Sequence, residues 1–129
     1  MSQDIVSDTL NRIMNAKRAR KEFLIVTKTS KLLINVLDIA KQQGNLDYTI
    51  EGNTLKINIK NINEIKAIKP RYTVALKNID HYVRRYLPAK NFGFLIVSTN
   101  QGLMIHKEAQ SKKLGGCLIA YIFWWKQTF

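Results

Sequence analysis

Three observations predict an α+β fold in two small subdomains, an α-β-α-β-β N-terminal half and a mostly β C-terminal half with short helices. Apolar residues recur at helical spacing in two early segments, Ile5 to Met14 and Leu32 to Ala40. Short apolar or alternating runs bounded by turn residues fill much of the remainder. Charge is divided unevenly: residues 1–64 hold ten Lys+Arg and seven Asp+Glu, residues 65–129 hold eleven against two, so the halves carry +3 and +9. At 129 residues, 46% of them hydrophobic, the chain can bury about two-thirds of its unfolded surface, and a large multi-domain enzyme is excluded.

In the first half, residues 1–64, Ile5, Val6, Thr9, Leu10, Ile13 and Met14 line one helix face, with Ser2 or Asp4 as cap. Phe23-Leu24-Ile25-Val26 reads as a buried strand between helices. A second helix carries Leu32, Leu33, Val36, Leu37 and Ala40, with Thr29 or Ser30 as cap and Gly44 at its stop. Leu46 to Ile50 and the alternating Leu55, Ile57 and Ile59 flank Glu51-Gly52-Asn53, which predicts a β-hairpin.

The second half, 65–129, begins near Ile62-Asn63-Glu64-Ile65 and passes into a basic, aromatic turn at Lys69-Pro70-Arg71-Tyr72. A short helix over Asn78 to Leu87, capped by Asn78, stops before Pro88. Phe92 to Val97 is a core strand ending at the polar loop Ser98-Thr99-Asn100-Gln101-Gly102, and Leu103 to Ile105 resumes apolar character. His106 to Leu114 suits one short helix ended by Gly115-Gly116, and Cys117 to Trp125 a last strand.

The net charge of +12 and a pI near 10.0 favour a polyanionic partner, nucleic acid before anionic membrane. Helix one's polar face, with Asp4, Asp8 and Arg12, is not the uniformly basic stripe of a membrane-surface helix. No segment holds the ~20 apolar residues of a spanning helix, and no signal peptide is read, so the expectation is a soluble intracellular protein with no membrane partner. One cysteine, Cys117, rules out an internal disulfide and suits a reducing compartment.

Ser98, Thr99, Asn100, Gln101 and Gly102 concentrate hydrogen-bonding groups that can present donors and acceptors to a sugar, phosphate or base edge, although the same residues also suit a plain hairpin turn. Lys69, Arg71, Tyr72, Arg84, Arg85, Tyr86 and Lys90 interleave cations with rings, the chemistry of phosphate neutralisation and base stacking, or of a solvated basic face over core tyrosines. Catalysis has little support: Ser98 lacks a nucleophile elbow, and only His81 and His106 could serve as its base. Cys117 and the two histidines give no metal-ligand spacing and no Gly-rich phosphate loop occurs, so no metal or cofactor is expected. Cys117 reads as a small core hydrophobe and His106 as a helix-start residue. Trp124 to Phe129 is read as a strand end or a docking tail.

Taken in order, Asp8-x-Leu10-x-Arg12-Ile13-x-Asn15-Ala16, Ser30-Lys31-Leu32, Lys69-Pro70-Arg71, Phe92-Gly93, Leu95 through Gly102, Glu108-Ala109 and Gly115-Gly116 resemble ribosomal protein eight of the small subunit. Ile68 to Tyr72 and Arg85 to Gly93 look like its archaeal and eukaryotic branch. The resemblance implies a non-enzymatic structural protein that binds the central domain of small-subunit ribosomal RNA and supports assembly, beside neighbouring ribosomal proteins. It would be a monomer outside the ribosome and cytoplasmic within it. The resemblance places RNA contacts on Ser98, Thr99, Gln101 and Gly102, on Thr29, Ser30 and Lys31 before helix two, and on Lys69, Arg71 and Tyr72. Ile105 stands where the family usually has Ser or Thr, which implies a weakly capped short helix. A general nucleic-acid-binding architectural protein is the alternative that the same charge supports.

Overall fold

The computed structural model describes residues 4–69, 71–87 and 92–124, and the chain divides into two compact units, Met1–Ile65 and Lys66–Phe129. Ser2, Pro70, Pro88, Lys90 and the segment 125–129 lie outside the described residues.

In the first unit α1 spans Ile5–Arg18, and the Asp4 carboxylate accepts the Ser7 amide at 3.1 Å, satisfying one donor that the helix start leaves over. α2 spans Lys31–Gln42 and is capped by the Ser30 hydroxyl, which accepts from the Leu33 amide at 3.2 Å. Both helices close alike: the Lys21 amide donates to Ala16 after α1, and the Asn45 amide to Ala40 after α2. That closure needs a left-handed residue between, supplied by Gly44 at φ 79° as expected but by Arg20 at φ 61° after α1.

Strands β1 (Phe23–Val26), β2 (Leu46–Glu51) and β3 (Thr54–Ile59) form an antiparallel sheet in the order β1-β3-β2. Gly52, at φ 62°, turns the β2–β3 hairpin. The register sets Leu24 and Tyr48 on either side of Ile57, and Val26 and Ile50 on either side of Leu55. Leu55 and Ile57 are fully buried. β1 is not the buried strand that its apolar run suggested. It is an edge strand of a sheet covered on one side, so period two turns Phe23 and Ile25 outward, 46% and 50% exposed.

In the second unit β4 (Glu64–Ala67), β5 (Thr73–Val74), β6 (Gly93–Thr99), β7 (Gly102–Ile105) and β8 (Gly116–Phe123) form a five-stranded sheet ordered β4-β8-β6-β7, with β5 also on β8. Helix α3 (Ile79–Tyr86) and α4 (His106–Ser111) complete the unit. Ile79 and Val83 of α3 belong to one buried cluster with Leu95, Val97, Met104 and Leu118. Burying each such side chain stabilises by about 1.5–3 kcal/mol.

Several boundaries differ from expectation. A single 3₁₀ turn, Leu76–Asn78, runs into α3, so Asn78 is already helical and its side chain makes no capping bond. Leu87 after α3 is extended, φ −103° and ψ 126°, the conformation favoured before proline. α4 is ended by Lys113 at φ 58° with the Leu114 amide donating to Ala109, not by the glycines. No side chain caps its start at Ile105. Gly115 serves close approach instead, since a Cβ there would lie 2.7 Å from the Val74 carbonyl oxygen.

Candidate nucleic-acid interface

The polar loop is shorter than its sequence suggests. β6 runs through Thr99, with Ser98 opposite Leu103 and Thr99 opposite Gly102, leaving only Asn100 and Gln101 as the turn. Both are exposed, as is Gly102 at φ 112°, a backbone conformation that favours glycine. The Thr99 hydroxyl is committed inside the turn: it donates to the Gly102 carbonyl at 2.9 Å and accepts the Gln101 amide at 3.1 Å. Its donor is spent and one lone pair remains.

Adjacent strand residues face opposite sides of a sheet, so the Ser98 and Thr99 side chains do not point the same way. Thr99 shares the side of Leu95 and Val97, which belong to the buried cluster. Ser98, half-buried, lies in a cross-strand row with Leu103 of β7, Cys117 of β8 and Thr73 of β5. A register shift at Ile96/Val97, where partners step from Ala120 to Leu118, accommodates one extra residue in β8 and brings Cys117 opposite Ser98. Cys117 is thus half-buried and not a core hydrophobe; its thiol approaches the Arg71 carbonyl at 3.6 Å. Gly116 permits the close approach, for a Cβ there would sit 2.2 Å from the Ser98 carbonyl oxygen.

Lys69 and Arg71 are exposed, and Tyr72 is half-buried with its carbonyl accepting the Leu118 amide at 2.9 Å. The Arg85 guanidinium lies over two rings, 5.7 Å from the Tyr72 centroid and 5.5 Å from that of Tyr86. Tyr72 in turn meets Tyr82 at 5.6 Å, and Tyr86 stacks on Tyr121 at 5.4 Å. Burial pushes the Tyr86 phenol up from its ordinary value, against the opposing pull of Arg85. A cation held over rings in this way keeps a fixed position with one side still open to an anion. Arg84 is exposed beside it.

Thr29, Ser30 and Lys31 belong to the first unit; Thr29 and Lys31 are exposed, while the Ser30 hydroxyl is engaged as the α2 cap. Cys117 and Thr73 next to Ser98 leave no signal in the sequence, because a strand bulge and a two-residue strand leave no periodic trace, and neither does the packing of Tyr82 and Tyr121 against the two rings under the arginine. His106 is more than the helix start that its sequence position suggests. It is 1% exposed and its Nδ1 accepts the Leu95 amide at 3.0 Å, so the ring supports β6 from behind.

The sequence model of the family described as Ribosomal protein S8 matches residues 4–123. The chain belongs to the ribosomal protein S8 family. Among its relatives is the small ribosomal subunit protein uS8 of Nanoarchaeum equitans (strain Kin4-M), 38% identical over 129 residues that cover 95% of this chain and all of the relative. The match takes in the Ser98–Gly102 turn, the Arg71–Tyr72 segment and α3, so the geometry above is the geometry of a family member and not of a chance likeness.

Proposed function

We propose that this chain is a structural protein of the small ribosomal subunit that binds the central domain of small-subunit ribosomal RNA directly and supports its folding and subunit assembly. The observation that carries the reading is the exposed Asn100–Gln101 turn and half-buried Ser98, built on a buried strand in the half of the chain that carries +9. An A-form helix hides its deep groove and offers 2′-hydroxyls and base edges in a shallow one, so a narrow hairpin tip with short amide and hydroxyl groups suits a distorted or widened stretch. Ser98, Asn100, Gln101 and the backbone at Gly102 read that stretch. Thr99 holds the turn in shape and offers its remaining lone pair.

Lys69, Arg71, Arg84 and the ring-supported Arg85 neutralise phosphates and set affinity and position rather than choice of site. Tyr72 and Tyr86 orient Arg85. Lys31, with Thr29 and Ser30, adds a contact from the first unit. The test is competition binding of the full chain to a central-domain small-subunit RNA fragment against random-sequence duplex of equal length at one salt concentration. The reading expects strong preference for the fragment. A general architectural protein would hold both alike and would show the same tolerance for bulk DNA.

A further inference from the structure

The first unit carries a surface that the RNA reading does not use. β1 is an edge strand, and its pairing with β3 fixes which backbone groups face outward. Ile59 donates its amide to the Glu22 carbonyl at 2.9 Å, so in the antiparallel alternation Leu24 and Val26 point their peptide groups at β3 while Phe23 and Ile25 point theirs away. The Ile25 carbonyl confirms the direction, because it accepts from the Arg12 guanidinium of α1 at 3.3 Å. Beside this edge runs an open groove of about 910 Å³, walled by Arg12, Asn15 and Ala16 of α1 and by Ala19 just after it, and floored by residues 22–25. A second cavity of about 390 Å³, also lined by Arg12, continues it toward Thr27 and Lys28.

We infer that this groove takes an extended acidic-apolar segment of another protein as an added strand on β1. Three observations select that occupant. The outward amide and carbonyl of Phe23 and of Ile25 alternate at strand spacing, a pattern that a polypeptide matches and a sugar-phosphate chain does not. Phe23 and Ile25 are two of the exposed large hydrophobic side chains, and they stand on one side of the strand, where an added strand would lay apolar side chains against them. Arg12, Lys21, Lys28 and Lys56, whose ammonium lies 4.6 Å from the Phe23 ring centroid, outnumber Asp8 and Glu22 around the groove and its outer side, which favours carboxylates. An entering strand would take over the Ile25 carbonyl and release Arg12 to a carboxylate of the segment.

The test uses the full chain and a synthetic peptide that alternates glutamate with valine, compared with one that alternates lysine with valine. The acidic peptide is expected to protect the Phe23 and Ile25 amides from hydrogen exchange while leaving the Ser98–Gly102 turn unchanged. Ile25→Pro removes an outward donor at an edge position that tolerates proline, and Arg12→Glu reverses the charge; each should weaken binding by about tenfold or more. Equal binding of the lysine peptide, or acidic binding unaffected by Ile25→Pro, would overturn the proposal. So would protection of the same amides by self-association without peptide, or displacement of the peptide by duplex RNA that protects them. Should Ile25→Pro not fold, Arg12→Glu and the wild-type exchange pattern decide.

Discussion

Gly116 passes so close to Ser98 that a Cβ on the glycine would lie 2.2 Å from the serine's carbonyl oxygen. The obstacle is backbone, not the end of a flexible side chain, so Gly116→Ala must push β8 off β6. We expect a loss of about 1–3 kcal/mol in urea unfolding, together with weaker RNA binding as Ser98 is displaced. Gly102→Ala is the control. Its Cβ meets nothing within 4 Å, so φ 112° alone opposes it; the cost should be local backbone strain of about 1–3 kcal/mol with β8 still seated on β6.

Ser98→Ala and Thr99→Ala should differ in kind. Thr99 makes two hydrogen bonds inside the turn, so its removal should cost stability of about 0.5–1.5 kcal/mol for each bond broken. Ser98→Ala should leave the unfolding midpoint nearly unchanged while weakening binding to the cognate RNA fragment and not to random duplex. Parallel measurement of thermal midpoint and fragment affinity separates them, and a reversed pattern would reassign the two roles.

Arg84 and Arg85 separate in the same fashion. Replacing either cation should flatten the dependence of log affinity on log salt by about 0.7–0.9 for every phosphate it neutralises. Arg85→Ala also removes a cation from over Tyr72 and Tyr86, so it should lower stability where Arg84→Ala does not. A salt titration and a melt on each variant check both statements.

Tyr48 donates its hydroxyl to the Asp38 carboxylate, and that bond, aided by burial, pushes the phenol up to about 12. The folded value lies above the unfolded one of about 10, so folding favours the neutral phenol. Its contribution to stability is whole below about pH 10 and is lost as pH climbs toward about 12. Asp38→Asn keeps an acceptor but removes the charge and should return Tyr48 toward its ordinary value. Alkaline phenolate absorbance of wild type against Asp38→Asn should show one tyrosine shifting down; superimposable curves would contradict the bond.

The first unit is largely legible in the sequence because its signals are local. Asp4 and Ser30 cap helices that their apolar stripes define, and the hairpin turns within Glu51-Gly52-Asn53 as expected, on Gly52 and Asn53 with Glu51 still paired in β2. The apolar run at Phe23 misleads because four hydrophobic residues in sequence carry no mark of which two face outward; the sheet's one covered side decides. In the second unit, the strand expected over Phe92 to Val97 is plain and begins at Gly93, but its extension through Thr99 depends on pairing with Gly102 and Leu103. Ser98 and Thr99 look equivalent in sequence and are separated by strand alternation. Cys117, His106 and Gly116 take their roles from a bulge, a buried acceptor and a close backbone approach, all set by residues distant in the chain.

The most direct measurement is backbone amide shift mapping of the full chain as a central-domain small-subunit RNA fragment is added. The largest changes should fall on Ser98 to Gly102, Gly116, Cys117, Arg71, Tyr72, Arg84 and Arg85. A silent hairpin, with changes confined to the β1–β3–β2 sheet, would contradict RNA recognition by the second unit.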